Sequence, residues 1–113
     1  MDIKKSIKER ESIALVVAIR MARAAMGISQ AELAAMLEIS KVTLARIETL
    51  ESPLKADVYM RAIQVFRSQG VDVELISASL VSVKVQQQCL DEALARLRDA
   101  DRRRSDKKVS VAR

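Results

Sequence analysis

Four side chains near the middle of this chain, Lys41, Val42, Thr43 and Arg46, have the types and spacing to read the edge of a base pair. Ser40 precedes them as a helix N-cap, and Leu44 and Ile47, at i and i+3, turn one side of that helix inward. The four are left on the other side. Lysine can donate to guanine O6 and N7, and valine can pack on a thymine methyl. Thr43 could bond a phosphate or a base edge. Arg46, one turn on, could take guanine bidentately or hold a phosphate. The plain rival reading makes Lys41 and Arg46 solvated side chains and Val42 minor packing.

A second short helix must position this one. Ser29-Gln30-Ala31-Glu32 is a capping box, in which Ser29 accepts from the Glu32 amide and Glu32 reaches back to the Ser29 amide. Leu33, Met36 and Leu37 form the buried stripe of that helix. Before it, a helix from about Arg10 to Met26 carries Ile13, Val16, Val17, Arg20 and Ala24 at helical spacing, and Gly27 suits the left-handed position that ends it. Two short helices joined by a tight turn, the second with a polar outer face, are how a helix-turn-helix sets a helix into the major groove of DNA. Ser52-Pro53 stops the third helix. A fourth runs from about Leu54 to Gln69, with Val58, Ala62, Val65 and Phe66 facing the core, and ends at Gly70.

From about Ile19 to Gly70 the chain resembles the phage repressor and Cro family, the Xre-like bacterial regulators. The matching residues are Arg20–Arg23 before Gly27, Ile28-Ser29-Gln30, Glu32-Leu33-Ala34, Ile39-Ser40, Thr43-Leu44, Arg46-Ile47-Glu48 and Ser52-Pro53. The resemblance implies a DNA-binding surface made of Ser29, Gln30, Ser40, Lys41, Val42, Thr43, Arg46 and Thr49. Gln30 would brace the DNA backbone, Lys41 and Val42 would meet bases, and Thr49 would make a further backbone contact. It also implies a structural salt bridge between Arg23 and Glu48. Glu38 departs from the family's usual glycine in the turn. A non-glycine residue held left-handed there costs on the order of 1 kcal/mol.

After Gly70 the periodicity changes. Val71–Leu75 and Val81–Val85 alternate strictly, a strand signal, and Ile76–Leu80 allows a hairpin. Pairing Leu75 with Val81, Val73 with Val83 and Val71 with Val85 sets Asp72 opposite Lys84. An isolated hairpin is marginal in water, so it needs a helix beneath it or a second copy of itself. Gln87 to about Arg104 is helical, with Leu90, Ala93, Leu94, Leu97 and Ala100 in one stripe. Val71, Val73, Leu75, Val81, Val83, Val85, Leu90, Leu94 and Leu97 are the candidate dimerisation residues. The competing reading has the last helix only covering its own hairpin. The expected fold is thus mainly α with a small β-hairpin: a helix-turn-helix DNA-binding domain of the five-helix type over 1–70, a hairpin and C-terminal helix over 71–104, and a basic disordered tail over 105–113.

Composition narrows the function. Half of the 113 residues are hydrophobic, Tyr59 and Phe66 are the only aromatics, and the net charge is +5. That charge is uneven: eleven basic and eight acidic residues over 1–70, three and six over 71–101, six and one over 102–113. A basic head and tail around an acidic middle suit a nucleic-acid binder whose middle meets protein. Lys4, Lys5, Lys8 and Arg10 could form an arm on the DNA backbone, and Arg102–Arg104 with Lys107 and Lys108 could add phosphate affinity. Without histidine and with the single Cys89, neither a zinc site nor an internal disulfide is expected, and a reducing cytoplasm is the simplest setting. The apolar run Ile13–Ile19 is too short to span a bilayer, and no membrane partner is expected. No nucleophile–base pair or phosphate loop suggests catalysis, and no cofactor is expected.

The resulting expectation is a cytoplasmic homodimeric repressor that binds a near-palindromic operator in double-stranded DNA, in a phage, plasmid or mobile-element operon, with a toxin or anti-repressor as a further protein partner. The alternatives are an antitoxin that autoregulates its operon and neutralises a toxin through its second half, and a protein-binding adaptor that makes no use of DNA.

Overall fold

The computed structural model describes the backbone of residues 3–77 and 79–111 and the side chains of residues 12–77 and 79–99. The order of elements is α1 (Ile3–Met26), α2 (Gln30–Leu37), α3 (Lys41–Glu48), α4 (Ala56–Ser68), β1 (Val71–Ser77), β2 (Leu80–Val85) and α5 (Gln87–Val111). Four helices precede the hairpin and the fifth follows it. One core runs through all of them: Ile19, Met26, Leu33, Leu37, Leu44 and Phe66 are fully buried, together with Val71 of β1, and Cys89 of α5 joins the same cluster. Val71 and Cys89 thus pack in the same core as the four helices before them.

The joints between the first three helices repeat one local solution. Gly27 (φ 66°) and Glu38 (φ 59°) are left-handed, each is followed by an isoleucine set in or against the core, and each isoleucine is followed by a capping serine. At the first joint the Gly27 amide donates to the Ala24 carbonyl and the Ile28 amide to the Arg23 carbonyl. At the second, the Glu38 and Ile39 amides do the same to Ala35 and Ala34. These paired bonds satisfy carbonyls that a helix end leaves open. Ser29 completes its capping box, and Ser40 accepts from the Thr43 amide at 3.0 Å. The turn at Glu38 is thus kept without glycine. Leu50 (φ 64°) ends α3 in the same way, with the Glu51 amide on the Arg46 carbonyl at 2.8 Å and the Leu50 amide on Ile47. That closure comes before Ser52-Pro53, where the sequence placed the stop, and α4 starts at Ala56 rather than Leu54.

The hairpin has the expected register: Val71 pairs with Val85, Asp72 with Lys84, Val73 with Val83 and Leu75 with Val81. A bulge between Leu75 and Ser77 lets the strands run on past the expected loop to Ser77 and Leu80. Asp72 stands beside Arg67, at 3.7 Å, and among the described residues it makes no ion pair with Lys84. The helix beneath the hairpin is α1, with α4 against β1.

Three expectations are corrected. The helical spacing Ile13, Val16, Val17, Arg20 and Ala24 is not one face: only Val16 is buried, the other four are exposed, and the inward face is Val16, Ile19, Ala22 and Met26. Small and aliphatic residues lie on both sides of α1, so periodicity does not distinguish them. Both long helices also exceed their expected ends. α1 begins at Ile3, and α5 continues to Val111, past the end expected near Arg104 and through most of the stretch read as a disordered tail. No glycine or proline lies within either span to stop it. The side chains of Lys4, Lys5, Lys8, Arg10, Arg102–Arg104, Lys107 and Lys108 lie outside the described residues. Finally, α5 packs on the end of α1 rather than on its hairpin: the Cys89 thiol lies 3.6 Å from the Ala25 carbonyl, and Arg96 Nη1 donates to the Met26 carbonyl at 3.0 Å.

The two left-handed joints predict opposite responses. Glu38→Gly removes Cβ strain and should stabilise the chain by about 1 kcal/mol in urea denaturation. The exposed Glu38–Arg61 contact, at 4.0 Å, adds little to oppose this. Gly27→Ala should destabilise it, because the backbone there is left-handed and a Cβ would sit 3.3 Å from the Ala93 carbonyl oxygen.

Candidate nucleic-acid interface

The roll of α3 decides what it can present. Leu44, Ile47 and Glu48 point inward, and Lys41, Val42, Thr43 and Arg46 are all exposed, Val42 by 59%. A valine that open at the start of a helix has no packing role in this chain. No acidic residue stands in the first turn of α3. The partial positive charge of the helix N-terminus and the Lys41 ammonium therefore add, which favours an anion beside them. Arg46 follows on the same outer side, in the last turn.

That roll is held by a buried ionic cluster. Glu48 is the one buried charged residue among those described, 4% exposed. Arg23 of α1 meets it in a fork: Nε donates to Oε2 at 3.0 Å and Nη2 to Oε1 at 2.9 Å. Arg23 Nη1 also donates to the Ile28 carbonyl at 3.3 Å, and Gln30 Nε2 of α2 donates to Glu48 Oε1 at 3.0 Å. Three helices are tied at one carboxylate, and no buried side-chain polar atom is left without a partner among the described residues. The Arg23–Glu48 pair is as the resemblance implied.

The other expected contact residues divide. Gln30 bonds Glu48 with one amide proton and has a second to offer, so a structural role and a phosphate contact are compatible. The Ser29 and Ser40 hydroxyl oxygens accept from backbone amides within their caps, and Ser40 Oγ also lies 2.7 Å from Thr43 Oγ1. Thr49 differs: its hydroxyl donates back to the Ala45 carbonyl at 3.1 Å and the Arg46 carbonyl at 3.3 Å, so its proton is committed to the end of α3. Two arginines that the sequence did not single out serve the scaffold. Arg61 of α4 donates to the Leu37 carbonyl at 2.7 Å and Arg96 to Met26, each closing a helix C-terminus. Their partners are remote in sequence, and no local pattern marks them. Among the described residues no three His, Cys, Asp or Glu side chains gather as metal ligands, and no single helix is long and apolar enough to cross a membrane.

Of the nine dimerisation candidates, Val71 is fully buried in the chain's own core, and Val73, Val83 and Val85 pack against that core, all on the face turned to α1. Val71 is thus a core residue and not an interface residue. Leu75 and Val81 are half-buried, and Leu90, Leu94 and Leu97 remain exposed. Burial, and secondarily the Glu92 carboxylate, push the Cys89 thiol above its ordinary value of 9.0, with Arg96 opposing.

Two predictions follow from this chemistry. Arg23→Ala or Glu48→Ala should each cost about 3–5 kcal/mol in chemical denaturation, because each leaves a charge without its partner; the double substitution should cost less than the sum. For Cys89, a raised native value favours the neutral thiol. The stability this confers is complete below the unfolded value and lost as pH rises through the folded one. Urea melts should therefore show Cys89→Ser gaining on the wild type above about pH 9.

Residues 19–68 match the family model described as Helix-turn-helix. The match begins within α1 and ends with α4, and the hairpin and α5 lie outside it. No curated protein and no solved structure matches the chain at a significant level. The capped helix pair, the forked ion pair behind it and this match agree: residues 19–68 form a helix-turn-helix of the Xre type, the kind of unit that supports a DNA-binding transcriptional regulator.

Proposed function

We propose that this chain is a cytoplasmic homodimeric repressor of its own operon, of the kind carried by a phage, plasmid or mobile element. Each copy lays α3 in the major groove of one half of a near-palindromic operator, about 34 Å from the other half, and bound protein excludes polymerase. The observation that carries this reading is the outer face of α3: Lys41, Val42, Thr43 and Arg46 are exposed together on a helix fixed from behind by Glu48. Lys41, Val42 and Arg46 read bases, Thr43 meets a base edge or phosphate, and Gln30 and the capped N-terminus of α2 hold the DNA backbone. A monomer reads only a few base pairs, which is too few for selection within a genome, and this argues for pairing.

A gel shift on the DNA upstream of the chain's own gene, with excess random competitor, tests this. A specific shift is expected, and Lys41→Ala and Arg46→Ala should each weaken it by about 1–3 kcal/mol. Thr49→Ala should change it less, since its hydroxyl proton is already committed. Folded protein that gives no specific shift, or a shift untouched by both substitutions, would instead favour a protein-binding adaptor. An antitoxin would keep the same DNA contacts and use residues 71–101, with their acidic excess, to hold a basic toxin; copurification of a small partner protein separates it from the repressor.

A further inference from the structure

α5 turns its small residues inward and its leucines out. Cys89 and Ala93 are 2% and 6% exposed, whereas Leu90, Leu94 and Leu97 are 48%, 49% and 48% exposed. Positions i, i+4 and i+7 make a stripe of the kind that seams two helices together. The apolar face of the hairpin is already spent on α1, so this stripe is the largest unpartnered part of the expected dimer surface. α1 has an outer stripe of its own, Ile13, Val17 and Met21, but among the described residues the charge beside it is Arg20, which selects no partner.

Charge along α5 does select one. Asp91 and Arg98 are both exposed and seven residues apart. Two turns of helix take about 7.2 residues, so the two lie on the same flank of the leucine stripe. They are about 10 Å apart along the axis and cannot pair within one chain. Asp91 takes its neighbour bond from Gln87 Nε2, at 2.9 Å. When a second helix runs antiparallel, like flanks come together. Asp91 of each copy then stands across from Arg98 of the other, and two-fold symmetry makes the contact twice. A parallel partner brings opposite flanks together and loses both pairs.

We propose that α5 pairs antiparallel with α5 of a second copy, Leu94 meeting Leu94 near the two-fold axis, Leu90 meeting Leu97, and Asp91 meeting Arg98. The inference rests on the dimer proposed above and specifies its surface.

Thiol crosslinking and charge exchange on the full chain test it, with the wild type, whose Cys89 is buried, as the blank. Under mild oxidation Leu94→Cys should form a disulfide-linked dimer and Leu90→Cys should not exceed the blank. The two copies of residue 90 would lie about 12 Å apart along the axis, beyond the roughly 4–7 Å Cα separation that a disulfide spans. In sedimentation, Asp91→Arg or Arg98→Asp alone should weaken self-association roughly tenfold, and the double exchange should restore it. Mixing the two single variants should give a heterodimer. Equal linking at positions 90 and 94 would mean parallel pairing and overturn the proposal. A dimer that links at neither position would overturn this surface while leaving the dimer itself standing. A chain that stays monomeric both free and on operator DNA would remove the dimer and this pairing together. A Leu94→Cys thiol that links to a copurifying toxin instead would assign the face to that partner.

Discussion

The fork between Arg23 and Glu48 is the interaction on which the functional face depends. A carboxylate buried to this degree is costly unless every lone pair it exposes to the interior meets a donor. Here the donors come from α1 and α2, and the acceptor comes from the last turn of α3. Hydrophobic burial of Leu44 and Ile47 draws α3 onto the core without fixing its direction. The planar guanidinium is directional and admits a narrow range of positions for Glu48. With Glu48 fixed inward, the outward projection of Val42 and Arg46 follows from helix geometry. The side chains proposed to meet DNA are thus set by a residue on the opposite, inward side of α3.

The short joints complement that restraint. Gly27-Ile28-Ser29 and Glu38-Ile39-Ser40 perform the same three tasks in order: a left-handed residue closes one helix, an apolar residue anchors the corner, and a serine opens the next. Three residues leave little freedom in the angle between successive helices, and the second half of α1 meets α2 at 110°. At Glu38 the geometry is kept despite the Cβ, because the anchored isoleucine and the Ser40 cap on either side determine the turn. The strain there is local and is opposed by tertiary packing.

What was legible in the sequence was what short-range chemistry decides. The two serine caps, Gly27 and Gly70, the inward Leu44 and Ile47 and the hairpin pairs from Val71–Val85 to Leu75–Val81 follow from patterns within a few residues, and the structure has them. The Arg23–Glu48 pair spans 25 residues and came through resemblance. Among what escaped, three cases show why. The inward side of α1 is ambiguous because Ile13, Val17 and Met21 outside are as apolar as Val16, Ile19 and Met26 inside. Leu50 in a left-handed turn runs against residue preference, so no local signal announces it. The arginines that close α1 and α2 are supplied by α5 and α4, and the chosen carbonyls become visible only when the helices are assembled.

That last point joins the two halves of the chain. The corner between α1 and α2 is held by Arg23 on the Ile28 carbonyl, by Arg96 on the Met26 carbonyl and by the close approach of Ala93 to Gly27. α5 is therefore seated on the same corner that orients the helix-turn-helix, and β1 reaches the common core through Val71. A tail joined by a flexible linker could pair two copies while leaving their α3 helices free to adopt any separation. A helix packed against Gly27 cannot: any pairing through α5 is carried through the corner to α3. In the proposed dimer, operator spacing would then be a property of how two α5 helices cross, and a change at Ala93 or Gly27 would alter the half-site separation without touching a residue proposed to meet DNA.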